Sequence, residues 1–350
     1  MSDINLQSLS KLISEKTGKK VTFNKIEKIG SGFHSDGFKV SSEDNRSFFL
    51  KCVKVNDIGF EFPERQISSF MVGHAMSKRA GNNPAPIGVV VTSEGKEVLL
   101  PEIDHSTKVY HIQEFGHKNS ISYSKIIEKN ILKKAVDGED RGQLEKIADI
   151  LVKIHSIKYP SSDKKELTAV YDDGIRSILT NPELSITFLS KFPNDYEILD
   201  LEGQKEMISL MYENIKAWVG RYDRLTALHG DFWGSNIFFG EENKCWIIDF
   251  SRIPWGDPAI DVGWFISEYL WYYHLTGNQY FRELAETWLS IYEKKSGDKE
   301  LRRAMPLVIG WLAIARTSPV FSPVINVPAA KKFVLHVIDI LRKKEFFWND

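Results

Sequence analysis

Between His229 and Asp261 the chain reads HGDFWGSNIFFGEENKCWIIDFSRIPWGDPAID, and no other stretch restricts the fold as much. Asp231 and Asn236 stand in the pattern D-x-x-x-x-N. A turn-like GEENK follows, then an apolar run over 245–248 that stops at Asp249. A short apolar run ending on an aspartate has the form of a buried strand that delivers a carboxylate to a cleft. Residues 237–239 have the form of its hairpin partner, with Gly240 and Asn243 as turn residues. The two arms would carry Asn236 and Asp249 at neighbouring ends. A single aspartate at a strand end is more often a cap or turn former. The spacing of the three residues is what carries chemical meaning.

Two oxygen donors held close together suit a hard divalent ion such as Mg²⁺, which takes one or two protein ligands and completes its shell with water and substrate phosphates. Asp231, upstream on a loop, is then placed to accept a proton from an attacking hydroxyl. A base, an asparagine and an aspartate in this order are the set that kinase phosphoryl transfer uses.

The chain has 350 residues, which favours two domains or two lobes of one enzyme. With 42% hydrophobic and 27% charged residues it can bury an ordinary globular core, and a net charge of −1 favours neither nucleic acid nor an anionic membrane as a partner. Cys52 and Cys245 each sit in an apolar run, where cysteine is usually a small core residue, and they make neither a disulfide framework nor a metal spacing. The first residues lack the basic and apolar regions of a signal peptide, and the apolar run at 307–315 is too short to cross a bilayer. The expectation is a cytoplasmic protein.

Taken in order, Leu6, Leu9, Leu12 and Ile13 space a helix over 5–17. A strand over 21–29 runs into the glycine loop GSGFHSDG, Gly30 to Gly37, and a return strand begins at Phe38. Strand, glycine loop and strand can cover a phosphate, because glycine lets the backbone approach closely and donate its N–H groups. A Rossmann loop would open a helix and a Walker loop needs Gly-Lys-Ser/Thr, so neither fits. An ordinary hairpin loop remains the alternative. In the next strand, over 47–55, Phe49, Lys51, Val53 and Val55 share a face. A lysine among apolar neighbours needs a partner, and a paired lysine on the third strand facing phosphates is the kinase arrangement. The partner is expected on a helix over 61–79, with Glu64 the first choice and Glu61 the second. Ile67, Phe70, Met71 and His74 mark the apolar face of that helix. A strand over 109–115 ends in Gln113-Glu114-Phe115-Gly116, where a hinge would pair backbone groups with an adenine edge. From 120 onward the pattern is helical: near 141–155, 203–221, 262–275, 279–295, 299–316 and 328–345, with loop over 157–173. His155 closes the first of these helices and has the setting of a satisfied core histidine.

These residues resemble the aminoglycoside phosphotransferase and choline kinase family. LHGDFWGSNIFF is similar to its catalytic loop, WIIDF to its metal-binding aspartate, GDPAIDVGW to the segment after it, LEKIADILVKIHSI to its helix ending in histidine, and FFLKCVK to its nucleotide-lysine strand. The resemblance runs from about 25 to 320 and is specific over 229–264. It implies an α+β, two-lobed protein-kinase-like fold: a nucleotide-binding lobe over 1–115 with an antiparallel sheet and one main helix, and a mostly helical catalytic and acceptor-binding lobe over 116–350. It implies ATP, or GTP, with Mg²⁺ as cofactors. Asp231 would be the catalytic base, and Asn236 and Asp249 the metal ligands. Lys51, paired with Glu64, would meet the phosphates. Gly30, Ser31, Gly32, Gln113 and Phe115 would complete the nucleotide site. His229, Asp257 and Asp261 would brace the loop.

Two features favour a small hydroxyl acceptor over a protein. Gly230 stands where protein kinases carry the arginine of H-R-D, a natural partner for a phosphorylated activation loop. The stretch from Ser251 to Gly256 is too short for a peptide platform. Trp233 and Trp255 are the better candidates to touch the acceptor, with Glu268 a further one. The aromatic residues Trp255, Trp264, Tyr269, Trp271, Tyr272 and Tyr273 could cage a quaternary amine, but on a helix such positions point around most of the circumference, as packing residues do. The rival readings are a metal-dependent phosphohydrolase, with His229, Asp231, Asp249 and Asp257 holding paired metals, and a non-catalytic nucleotide-binding scaffold.

Overall fold

The structure, a computed structural model, describes residues 4–31, 35–54, 63–81, 85–93, 96–97, 108–114, 119–180, 192–193, 195–250, 253–319 and 325–348. The chain forms two compact units, Met1–Ser120 with Trp246–Arg252, and Ile121–Cys245 with Ile253–Asp350.

In the first unit, strands β1 (Phe23–Ser31), β2 (Ser35–Ser42), β3 (Ser47–Val53), β4 (Pro86–Ser93), β5 (Lys96–Glu97) and β6 (Lys108–Glu114) make one antiparallel sheet in the order β1-β2-β3-β6-β4-β5. Period-two alternation divides its residues between two faces. Phe48 and Leu50 of β3 join Tyr110 and Ile112 of β6 in a buried core with Leu9 and Ile13 of helix α1 (Leu6–Thr17). That helix starts at Asn5, whose side chain accepts from two backbone N–H groups, and ends at Gly18, at φ 66°. Two of its serines accept hydrogen bonds from the segment that follows it, Ser14 from Val21 N at 2.8 Å and Ser10 from Phe23 N at 2.9 Å.

Helix α2 (Pro63–Arg79) packs against β4 and β6, with Phe70 and His74 facing the His111 ring at 5.6 and 6.0 Å. Its buried line differs from the expected one. Gln66, Phe70, Gly73 and Ser77 are buried, whereas Met71 is 59% exposed. The 3.6-residue phase is set by the histidine and the sheet it meets, and Met71 falls on the solvent side of that line.

The second unit is mostly helical: α3 (Tyr123–Lys129), α4 (Gly138–His155), α5 (Lys164–Thr180), α6 (Leu201–Trp218), α7 (Ala259–Thr276), α8 (Gln279–Ser296), α9 (Leu301–Ala304), α10 (Pro306–Thr317) and α11 (Val327–Lys343). Asp137 and Asp140 cap the start of α4 reciprocally, each side chain accepting from the other's backbone N–H at 3.0 Å. Helix α7 is the centre. Every residue from Ala259 to Leu270 is buried, and α8, α10 and α11 pack around it. A helix apolar on all sides belongs in such a place.

Two expectations need correction. The stretch 157–173 is not all loop, because α5 begins at Lys164 and runs through Asp172, Asp173 and Gly174. The sequence signal misled because Asp-Asp-Gly favours turns, while here tertiary packing needs the glycine. A Cβ at Gly174 would lie 2.6 Å from the Trp255 carbonyl oxygen. The helix expected over 299–316 is two helices, α9 and α10, and Pro306, which has no N–H to continue the first, opens the second.

Short strands carry the segments around the motif. Strands β7 (Ile121–Ser122), β9 (Ile237–Phe239) and β10 (Cys245–Ile247) form one sheet with β9 in the middle, and β8 (Thr226–Ala227) pairs with β11 (Trp255–Gly256). The hairpin expected over 237–248 is present. Gly240 N donates to Lys244 O at 3.0 Å, and Glu242 and Asn243 turn the chain at φ 57° and 54°. Among the described residues no helix is long and apolar enough to cross a membrane.

Candidate active site

The first unit, taken by itself, carries a lysine paired with a carboxylate. Lys51 sits in the middle of β3, between Gly37 of β2 and His111 of β6. Its Nζ lies 2.6 Å from Asp249 Oδ2, and both side chains are largely shielded. Asp249 has φ 70°, in the left-handed region that costs a non-glycine residue about 1–2 kcal/mol. Such outliers gather at functional sites, where the surroundings hold them in place.

Around this pair the sheet is shaped by small residues. Gly37 faces the Phe49 ring so closely that a Cβ would lie 2.9 Å from it. Gly30 pairs with Gly37, and Ser31 with Asp36. Ser31 Oγ donates to Asp36 Oδ1 at 2.7 Å and accepts from Lys54 Nζ at 2.8 Å, while Lys28 reaches Asp36 at 2.8 Å. The bonds from Lys28 and Ser31 hold the Asp36 carboxyl down at about 2. Gln113 is buried opposite Phe49, and the backbone N–H of Glu114 donates to Ala85 O at 2.9 Å. Gly32 and Phe115 lie outside the described residues, as does Glu61. Glu64 is on the first turn of α2, and its side chain lies outside what is described.

The second unit, taken by itself, carries the D-x-x-x-x-N loop. Asp231 is 8% exposed, and both its oxygens accept hydrogen bonds, Oδ1 from Trp233 Nε1 at 2.9 Å and Oδ2 from Asn236 Nδ2 at 3.2 Å. Asn236 Nδ2 also donates to the Asp231 backbone carbonyl at 2.8 Å, so the amide oxygen is the atom Asn236 can offer a cation. The loop is anchored from below. Asp261, fully buried at the start of α7, accepts from His229 N and Gly230 N, each at 2.7 Å, and from His155 Nε2 at 3.0 Å. With Nε2 donating, Nδ1 of His155 accepts from the Tyr292 hydroxyl at 2.5 Å, and burial raises the Tyr292 phenol well above its usual range, keeping it a donor. Gly230 stands at φ 83°, and a Cβ there would lie 2.5 Å from Ile253 N. No side chain can replace that hydrogen.

Asp257 is a second brace. It accepts from Arg224 Nε at 2.6 Å and Nη2 at 2.9 Å, from the Tyr171 hydroxyl at 2.8 Å and from Ala259 N at 2.9 Å. Arg224 also grips Asp298 twice, at 2.8 Å. The paired-metal hydrolase would need Asp257 as a ligand, and its oxygens are already engaged. Among the described residues no group of three or more His, Cys, Asp or Glu converges as a metal cluster.

Of the three acceptor candidates, Trp233 lies against Asp231. Its indole meets the Trp264 ring edge-on at 4.4 Å and the Arg316 guanidinium at 4.3 Å. Trp255 packs edge-on against Tyr159 at 5.1 Å. Glu268 is buried, with Oε1 accepting from Ser124 Oγ at 2.7 Å and Oε2 from Gly234 N at 2.8 Å. The aromatic residues of α7 pair off with other rings: Trp264 with Trp311, Tyr269 with Phe265, Trp271 with Phe333, Tyr272 with Phe281 and Tyr273 with Trp348. They pack; they do not converge on a cage.

Arg316 and His111 were not singled out by sequence reasoning. A signal existed for the first: WLAIARTSP places a cation at the end of an apolar helix. His111 is one of several histidines in strand-like or helical runs, and only its strand register with Lys51 gives it meaning.

An antiparallel sheet with one main helix carrying a lysine, followed by a helical unit carrying D-x-x-x-x-N, defines a protein-kinase-like fold. The sequence pattern of the phosphotransferase enzyme family matches residues 116–306, more than half of the chain, and the chain belongs to that family. It is a small-molecule phosphotransferase of the aminoglycoside phosphotransferase and choline kinase kind. Solved structures agree on the fold. A spectinomycin phosphotransferase, in complex with ADP and spectinomycin, aligns over 97% of this chain and 98% of its own at 16% identity and a TM-score of 0.52. An ethanolamine kinase of Plasmodium vivax aligns over 91% and 84% at 14% identity and 0.55. A choline kinase of Streptococcus pneumoniae aligns over 96% and 99% at 12% identity and 0.52. No protein of curated function matches the sequence.

Proposed function

We propose that the chain transfers the γ-phosphoryl group of ATP to a hydroxyl of a small molecule. Asp231 accepts the hydroxyl proton as the acceptor oxygen forms its bond to phosphorus. The bond from phosphorus to the bridging oxygen breaks, and ADP leaves with that electron pair. Lys51 neutralises phosphate charge, and the indole N–H of Trp233 and the amide of Asn236 hold the Asp231 carboxylate in one orientation. Positioning and electrostatics supply most of the acceleration in such transfers. Gly30 and Ser31 shape the glycine hairpin over the phosphates, with Gly32, Gln113 and Phe115 completing the nucleotide site and Glu64 as a further partner of Lys51. An amide oxygen from Asn236 and a carboxylate from Asp249 are hard donors of the type Mg²⁺ takes. Bound there, the ion would supply a counter-charge for the phosphates. GTP is the other possible donor.

The observation that carries the reading is the pairing of Lys51 with Asp249 at 2.6 Å. A lysine turned outward would have removed the nucleotide half of the site. The test is Asp231→Asn. Acceptor-dependent ADP release should fall by about 100-fold or more, the usual worth of a positioned base, while ATP affinity stays near that of the parent. Near-normal turnover in that variant would sink the assignment.

A further inference from the structure

Helix α7 holds the motif loop at two places. Asp261 and Glu268 are seven residues apart, close to two turns, so their side chains leave one face of α7 about 10 Å apart along its axis. Both are buried. Asp261 takes the N–H groups of His229 and Gly230, just before Asp231. Glu268 takes the N–H of Gly234 at 2.8 Å, between Asp231 and Asn236. Its other oxygen accepts at 2.7 Å from Ser124 Oγ, on the first turn of α3. Gly234 opens the short 3-10 turn that ends at Asn236. The first N–H groups of a helical turn have no partner within it, and a carboxylate accepts from them more strongly than a neutral oxygen does. The approach is close: a Cβ at Gly234 would lie 2.7 Å from Glu268 Oε2 and 2.7 Å from Ser124 Oγ. The loop also closes on itself. Trp233 N donates to Asp231 O and Asn236 N to Trp233 O, each at 2.9 Å, and Asn236 Nδ2 returns to Asp231. The bond from Gly234 to Glu268 ties this small closed unit to the buried helix.

We infer that Glu268 is a positioning residue for phosphoryl transfer: by holding the Gly234 N–H it fixes where Asn236 presents its amide oxygen relative to Asp231. This rests on the phosphotransferase reading given above. What the reaction needs from Glu268 is a hydrogen-bond acceptor of the right length. The competing account is charge. Glu268 would then serve as a counter-ion for Arg316, whose guanidinium burial holds below its usual range with Glu268 opposing the shift, or as a ligand for a cationic acceptor. Two substitutions separate length from charge. Glu268→Gln loses the charge and keeps both bonds, because its amide oxygen can accept from Gly234 N while its amide nitrogen donates to the Ser124 hydroxyl. Glu268→Asp keeps the charge and is one methylene too short to reach.

The test needs no acceptor. The parent chain and both variants are titrated with Mg²⁺ at a fixed concentration of ADP carrying an N-methylanthraniloyl label, and binding is read from the label. Amide exchange over 232–238 is followed separately without nucleotide. Glu268→Asp is expected to raise the Mg²⁺ midpoint by about tenfold or more, the usual cost of losing the partner that orients a metal ligand, and to speed exchange of that segment. Glu268→Gln should leave both close to the parent. A midpoint is independent of how much of the sample is folded. A raised midpoint in Glu268→Gln overturns the inference in favour of charge, as does loss of the fold in that variant. Parent-like midpoints in both variants overturn it too, as does a raised midpoint in Glu268→Asp without faster exchange. If Glu268→Asp does not fold, Glu268→Met takes its place, with similar length and no oxygen, and the same outcomes decide. In all these cases the parent binds the nucleotide with Mg²⁺, and the phosphotransferase reading stands. A parent chain that shows no Mg²⁺-dependent binding would mark failure of that underlying reading, and the inference would fall with it.

Discussion

Lys51 and His111 show how a strand register can place a cation beside an imidazole that stays uncharged. They are paired neighbours on β3 and β6. Burial, the charge on Lys51 and then His74 push the His111 imidazole down to about 4, so it is neutral near neutrality. Its Nε2 has no hydrogen-bond partner among the described residues. The linkage has a definite sign. As pH falls below about 6.5 the unfolded chain binds a proton that the folded chain refuses until about 4, so folding stability declines across that window. Replacing His111 by Leu should flatten the urea midpoint between those limits, and an unchanged slope would remove His111 as its source. The histidine itself was not legible as special, because register is a pairing between distant strands and one strand's alternation does not reveal it. The local settings of Asp231, Asn236, Asp249 and Lys51, on a loop, at the two ends of a hairpin and in mid-strand, were legible, because spacing and apolar setting are local.

At the scale of elements, local pattern succeeded wherever one face of a helix or strand met a core. Helices α1, α4, α8 and α11 follow the spacing of their apolar residues to within a few positions. It failed at α5, where Asp172, Asp173 and Gly174 have turn chemistry but lie in a helix that presses on β11. That close approach gives a diagnostic substitution. Alanine is the better helix former by about 1 kcal/mol, so Gly174→Ala would stabilise an uncrowded helix. With the Trp255 carbonyl oxygen 2.6 Å from the new Cβ, the change should instead destabilise by about 1–3 kcal/mol, read as a lower denaturation midpoint at unchanged m. A raised midpoint would show that the approach is looser than described. Helices α9 and α10 teach the converse: Pro306 was visible in the sequence, but the apolar run on either side of it masked the break.

At the scale of the whole molecule, the first unit is assembled from two pieces of chain, Met1–Ser120 and Trp246–Arg252. The second piece brings Asp249 to Lys51, and its Trp246, Ile247 and Phe250 are buried. A fragment ending at Ser120 should therefore exchange the amide hydrogens of β3 faster than the full chain does, and equal protection would show that the late piece contributes nothing to that strand. The kinase-like fold was readable from the order of motifs, since each motif reports its own segment and family resemblance supplies their arrangement. The bracing was not. Asp261 reaching under the loop and Arg224 joining Asp257 to Asp298 link residues far apart in sequence. One of these constraints reaches beyond stability. At residue 230 the backbone is pressed against Ile253 with room for hydrogen alone, so the position where a signalling kinase keeps its phosphate-sensing arginine is sterically sealed. A chain built this way offers no side chain at that position with which to read a phosphate.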